Sequence, residues 1–286
     1  MPSQSSHEFV ITSSVRTEVI RRVSAEPTPT DALLSEIAAS DSAVYNALST
    51  LSNRGLVRQR DSGWRLTAYG SLVADSISAW KAAAAFRERD PAFWKNHHVD
   101  VIPAAFRRRL PEIGEYEIIR DTAQDPNRSE EVAISVLDSA TSCELTTPYY
   151  SRRHQEAIPT TPETRVLVTR GVIDVSVQRY KNGHRSELNP LEPANIRLTD
   201  CQFASVVTDN ELKFELPTVS GGTTGQHRNT GTTGSPSNES VTDTTALCIS
   251  ETEPAVQWGR DLFATLWEDS DPLEPYIRRT FPALVE

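Results

Sequence analysis

Lysine is nearly missing from this chain. Of 29 basic residues among 286, only Lys81, Lys95, Lys181 and Lys213 are lysine; the rest are arginine, and 39 Asp and Glu set a formal net charge of −10. Scarce lysine with abundant Asp, Glu and Thr fits a halophilic protein in a salty cytoplasm, although GC-rich coding also favours arginine. Cysteine is as sparse: Cys143, Cys201 and Cys248 lie far apart, odd in number and without a CxxC pair. That argues against a disulfide framework and a zinc site. No stretch approaches the ~18–20 uninterrupted apolar residues of a membrane span. The start, MPSQSSHEF, has no basic segment leading into an apolar run, so no secretory signal is expected and a cytoplasmic location is. What is present, 37% hydrophobic residues, suffices for real cores. At roughly 100–200 residues per domain the length suggests two domains.

Charge is unevenly spread. Residues 1–80 carry 7 basic and 8 acidic side chains, so the acidity belongs mostly to the remainder. One low-complexity segment, 218–245, is rich in Gly, Ser and Thr and has almost nothing to bury; it reads as a disordered insertion. The spacing of Val15, Val19, Ile20 and Val23 predicts a helix after Ser13 and Ser14. A second helix is expected with Thr28 as N-cap, Pro29 at its first position and Leu33, Leu34, Ile37 and Ala38 as its apolar face. A third, capped by Ser40 or Asp41, buries Val44, Ala47, Leu48 and Leu51 and stops at Gly55. Two short strands, Leu56–Arg60 and Trp64–Leu66, follow around Asp61-Ser62-Gly63, a hairpin signal. A long helix then starts at Thr67, with Tyr69, Leu72, Val73, Ile77 and Trp80 on one face.

Three helices and a two-stranded hairpin are the order of a winged helix-turn-helix, whose third helix enters the DNA major groove. The solvent side of that helix is Ser42, Asn46, Ser49 and Asn53, with Tyr45 at its flank. Small polar groups, amides and a phenol suit base edges and phosphates, although any solvated helix face has this composition. The hairpin adds Arg54, Arg58, Arg60 and Arg65 within twelve residues holding one acid, Asp61. A local excess of positive charge in an acidic protein suits phosphate contact. Double-stranded DNA is therefore the expected partner, and these nine residues its candidate contacts. Residues 40–70, SDSAVYNALSTLSNRGLVRQRDSGWRLTAYG, resemble the recognition-helix-and-wing signature of archaeal winged-helix transcriptional regulators. FWKNHHVDVIPAAFRRRLPEIG (93–114), IRLTDCQFASVVTDNELKFEL (196–216) and AVQWGRDLFATLWE (255–268) resemble the FilR-type middle domain of the methanogenesis regulatory protein family. The resemblance implies a cytoplasmic transcription factor with a sensor-like second domain, and supplies no ligand.

The expected organisation is α+β: residues 1–89 as the winged domain with its linker helix, and 90–286 as an α/β regulatory domain. Strands are expected at 116–121, 144–146, 165–169, 196–198, 204–207, 213–216 and 246–249. Helical stripes fall at Val132–Ala140 and Val256–Trp267. Similar regulatory domains resemble the phospholipase-D sheet, but its H-x-K motif is absent: the residues two before each lysine are Ala79, Phe93, Arg179 and Glu211. G-x-S-x-G, H-E-x-x-H, G-x-G-x-x-G and a nucleotide-loop G-K are absent too, so no enzyme activity, cofactor or metal is expected. The stretch TTPYYSRRHQ (146–155) follows a strand, where α/β sheets collect ligands. Tyr149, Tyr150, Arg152, Arg153 and His154, with Arg170, are candidate effector contacts; equally, they form an exposed loop paired with surface acids. The long helix either supplies a homodimer seam through Leu72, Ile77 and Trp80 or packs on its own chain. A protein-interaction module and a degenerate phosphodiesterase remain alternatives.

Overall fold

A computed structural model describes residues 4–182, 195–219 and 246–282. It is a mixed α and β structure that divides into two compact units between Ala85 and Phe86. Among the described residues no helix is long and apolar enough to cross a membrane.

The first unit contains α1 (Ser6–Ile11), α2 (Ser14–Ala25), α3 (Thr30–Glu36), α4 (Asp41–Asn53), the hairpin β1 (Val57–Arg60) and β2 (Gly63–Leu66), and then α5 (Ala68–Arg89). Ser13 caps α2 and Ser40 caps α4, each hydroxyl accepting the N–H three residues on. Val19, Ile20 and Val23 of α2 pack with Leu33, Ile37, Val44, Leu48 and Leu51 in one core. Thr28 is not the cap of α3. It forms an isolated antiparallel bridge, exchanging both backbone hydrogen bonds with Trp64 at 2.9 and 2.8 Å, and Pro29 holds the cap position without a side-chain bond. Pairing with the hairpin outweighs local capping here. Ala38 is exposed because α3 stops at Glu36 and the chain turns extended at Ile37, which takes the last core position.

The end of α4 is a complete Schellman motif. Gly55 (φ +68°) donates to the Ser52 carbonyl at 2.8 Å, and Leu56 donates to the Leu51 carbonyl at 3.0 Å. Leu56, fully buried, then accepts the Thr67 N–H at 3.0 Å. Gly70 lies so close above it that a Cβ there would fall 1.9 Å from the Leu56 carbonyl oxygen. The inner face of α5 is thus Gly70, Val73 and Ile77, while Tyr69, Leu72 and Trp80 are 52%, 67% and 50% exposed. The five apolar residues expected on one face are split between two.

The second unit begins within α5: Phe86 packs on Trp94 and Tyr116 at ring distances of 5.1 and 4.7 Å. There follow α6 (Pro91–Asn96), α7 (Ala104–Arg109), β3 (Glu117–Arg120), α8 (Arg128–Ser139), β4 (Glu144–Thr147), α9 (Arg152–Ala157), β5 (Arg165–Val168) and α10 (Arg170–Lys181). The rest is β6 (Ile196–Leu198), β7 (Ala204–Val207), β8 (Leu212–Glu215), β9 (Ala246–Ser250), α11 (Glu253–Glu268), β10 (Asp271–Pro272) and α12 (Leu273–Thr280). One mixed sheet runs β10-β6-β5-β4-β7-β8-β9-β3, parallel across β4, β5 and β6 and antiparallel elsewhere. Helices α9 and α10 provide the two parallel crossovers.

Both sheet faces are covered. On one, Phe93, Phe106, Trp258 and Leu262 from α6, α7 and α11 pack with Leu212, Phe214 and Cys248. On the other, Val136, Ala157, Val172 and Leu273 from α8, α9, α10 and α12 pack with Leu145, Val166 and Val206. Each such aliphatic side chain contributes about 1.5–3 kcal/mol by leaving water. Cys143, Cys201 and Cys248 are free thiols. The segment expected to be disordered lies outside the described residues from 220 onward. Its first two residues belong to the ordered body: Thr218 bridges His97, and Val219 donates to the Asn96 carbonyl at 2.8 Å.

The junction at Leu56 makes a graded prediction. Gly70→Ala forces backbone apart and lowers stability by about 3 kcal/mol, at the upper end of overpacking costs. Gly55→Ala meets no neighbour within 4 Å and loses only about 1–2 kcal/mol for its left-handed backbone. Urea unfolding of the full chain measures both, and equal losses would contradict the close approach.

Candidate functional site

Capping and burial orient α4. With Val44, Ala47, Leu48 and Leu51 fixed inward, 3.6-residue geometry leaves Ser42, Tyr45, Asn46, Ser49 and Asn53 in one exposed stripe. Tyr45 stands 54% exposed. In the hairpin, register places Arg58 opposite Arg65 and Arg60 opposite Gly63. Strand alternation therefore puts Arg58, Arg60 and Arg65 on one face, with Val57, Trp64 and Leu66 turned to the other. Like charges directly opposite one another repel. Among the described residues no ion pair includes Arg54, Arg58, Arg60 or Arg65. Arg65 also has a buried Nε without a hydrogen-bond partner.

Arg54 is placed differently from the other three. Its guanidinium lies 3.9 Å from the Phe9 ring centre and donates to the Gln4 carbonyl at 3.2 Å, while Arg16 lies 3.8 Å from that same ring. Burial, and then the Arg54 charge, lower the Arg16 pKa. Helix α1 was not read from the sequence. The Ser5/Glu8 capping box that starts it was visible there.

The second-unit candidates separate. Tyr149, Tyr150 and His154 line a cavity of about 110 Å³ between the sheet and α9–α10. Arg152, Arg153 and His154 lie on α9 rather than on a loop, because Ser151 caps a helix there. Arg152 pairs with Glu156, and Arg153 with Glu130 at 2.8 Å. Arg170 pairs with Asp200 and Asp271 beside a different depression and does not line this cavity. The three arginines expected to receive an anion are thus held by carboxylates. The Tyr149 hydroxyl donates to Glu215, which sequence reasoning missed. Burial, then the Glu215 charge, raise the Tyr149 pKa; burial raises that of Glu215 despite the tyrosine's hydrogen bond. Burial lowers the pKa of His154, whose Nδ1 has no hydrogen-bond partner. Lys213, 1% exposed, borders the cavity and donates to the Val132 carbonyl at 2.7 Å. His97 and His98 do not act together: one bonds the Phe93 carbonyl, the other lies 3.3 Å from Asp100. Among the described residues no cluster of His, Cys, Asp and Glu is arranged to hold a metal ion.

Residues 4–89 match the family model of the HVO_A0261 N-terminal domain. The match covers α1 to α4, the hairpin and α5. No curated protein matches the chain. Among solved structures, TrmBL2, described as an archaeal chromatin protein with a novel mode of DNA binding, is 13% identical. It covers 91% of this chain and 94% of its own, with a TM-score of 0.34. An O-methyltransferase family protein from Burkholderia thailandensis is 10% identical over 66% of this chain and 60% of its own, with a TM-score of 0.21. Superpositions this loose establish neither a common fold nor a common activity. The chemistry of the site rests on its own residues.

Lys213 gives that chemistry a pH signature. Burial lowers its pKa from 10.5 to about 8, against the opposing pull of Glu211 and Glu251. Between those values the unfolded chain binds more protons than the folded one, so this group's contribution to stability rises with pH there and is least below about 8. In urea unfolding of the full chain, wild type should gain on Lys213→Met when the buffer moves from about pH 7 to about pH 10. A difference that stays flat would contradict a lysine buried in this way.

Proposed function

We propose that the chain is a DNA-binding transcriptional regulator. In this reading α4 docks in the major groove, β1 and β2 grip the adjacent backbone, and the second unit is a FilR-type regulatory domain that senses an effector or partner. The observation that carries it is the hairpin: three arginines without carboxylate partners on one face, in a protein of net charge −10, next to an exposed stripe of amide, hydroxyl and phenol groups. A cluster of like charge left uncompensated costs stability unless a polyanion supplies the counter-charge. Asn46 and Asn53 offer paired donors and acceptors to base edges, and the arginines read phosphate. Arg54 serves chiefly to pin α1 through Phe9. No catalytic step enters this reading.

In a cytoplasm near molar salt the screening length shrinks to ~3 Å, so phosphate contacts weaken and base contacts carry more of the affinity. Asn46→Ala should lose discrimination at the recognised site, by about 1–3 kcal/mol. Arg60→Ala and Arg65→Ala should weaken binding to all sequences, mostly at low salt, each reducing the salt slope by about one. Gel-shift titrations across ionic strength read all three; if they bind as wild type does, the docking surface lies elsewhere.

Two-fold half-sites call for a two-fold protein. The exposed Tyr69, Leu72 and Trp80 on α5 support a homodimer, although Ile77, expected at that seam, is in the core. Sedimentation of the full chain should show a dimer that Trp80→Glu dissociates.

A further inference from the structure

The cavity of the second unit has a definite chemical character. Its walls are largely aliphatic, from Leu145 on β4, Val166 and Val168 on β5, and Val172 and Ile173 on α10. Polar side chains line it too; the ionisable ones are Tyr149 with its partner Glu215, Tyr150, His154 and Lys213, and the exposed wall remains mostly apolar. Size, charge and hydrogen bonding each narrow what fits.

The volume, about 110 Å³, stands somewhat below the roughly 150 Å³ of an aliphatic cavity that binds benzene. One six-membered ring is therefore the upper limit, with any substituent lying toward the opening. An anion is disfavoured because it would face the Glu215 carboxyl, while Arg152 and Arg153 are paired with Glu156 and Glu130. A cation is disfavoured by Lys213, whose ammonium is itself engaged by the Val132 carbonyl and Glu211 and so is not free to receive an anion. Burying either charge without a partner is far costlier than burying a neutral group. The His154 Nδ1 is buried in this wall with no partner, and a hydroxyl satisfies it in either tautomer, donating to a bare nitrogen or accepting from an N–H.

We propose that this cavity is a binding site for a neutral, ring-sized small molecule carrying one hydroxyl, seated with its ring against β4, β5 and α10 and its hydroxyl at the His154–Tyr149 end. The inference gives a ligand class to the sensor reading of the second unit and is independent of whether the first unit binds DNA.

Phenol is the probe, with toluene and benzoate as comparators, titrated into the full chain without DNA. Phenol should bind saturably at one site and raise the melting temperature. Its ring protons should show nuclear Overhauser contacts to the methyl groups of Val168, Val172 and Ile173. Benzoate should bind at least about tenfold more weakly than phenol, as the cost of an unpaired buried charge requires. His154→Leu should bring phenol down about tenfold, toward toluene, as loss of one hydrogen bond predicts. Ser176→Phe, at the α10 side of the wall, should abolish saturation. Absence of saturable phenol binding, or of the methyl contacts, overturns the site. Benzoate binding as tightly as phenol overturns the neutral class. Should Ser176→Phe fail to fold, the methyl contacts in wild type decide alone. Because DNA is absent from every arm, failure of the DNA-binding reading appears only in gel shifts and leaves these outcomes intact.

Discussion

The winged unit depends on the backbone of one buried residue. The Leu56 N–H closes the Schellman turn on Leu51, its carbonyl receives the Thr67 N–H, and Gly70 of α5 rests on that same carbonyl. Three elements meet there: the helix that presents the polar stripe, the hairpin that presents the arginines, and the helix that leads on. Their relative placement is set by hydrogen bonds of fixed length, which leave little freedom for the stripe to turn or for the hairpin to slide. Left-handed backbone at Gly55 makes the turn possible, and the absent side chain at Gly70 permits the approach.

In the second unit the governing constraint is a sheet covered on both faces. Such a sheet has no solvent side, so a polar side chain on it is costly unless it finds a partner inside. Strand β8 shows the consequence. Leu212 and Phe214 enter the aromatic core, while the alternate residues Lys213, buried, and Glu215, half-buried, turn to the Val132 carbonyl and the Tyr149 hydroxyl. A small cavity with a mostly apolar wall follows from that packing, and the unpartnered nitrogen of His154 lies in its lining residues.

Much of the first unit was legible in the sequence because its signals are local. Ser13, Ser40 and Gly55 are caps whose chemistry acts within a few residues, and the inward faces of α2 and α4 follow from 3.6-residue spacing. Thr28 misled because a threonine before Pro29 suits a helix cap, whereas its actual partner is Trp64, far along the chain. On α5 the apolar residues form a broad band, and spacing alone does not say which side the core will occupy. The sequence predicts a strand at 213–216, and nothing local reveals that α8 and α9 close over its polar side. Helix α10, with Val172, Ile173 and Val177 buried, is not among the helices expected from the sequence.

The sequence by itself determined the charge of the protein, the order of helices and hairpin in the first unit, the outward residues of α4 and the strands of the large sheet other than the short edge strand β10. All of these follow from periodicity, capping and turn chemistry, which act over one or two turns of chain. The tertiary structure alone decided which arginines remain without carboxylates, which face of α5 is left bare, and that Tyr149, His154, Lys213 and Glu215 border one cavity. Those outcomes turn on contacts between residues tens of positions apart, and such contacts exist only after the chain has packed.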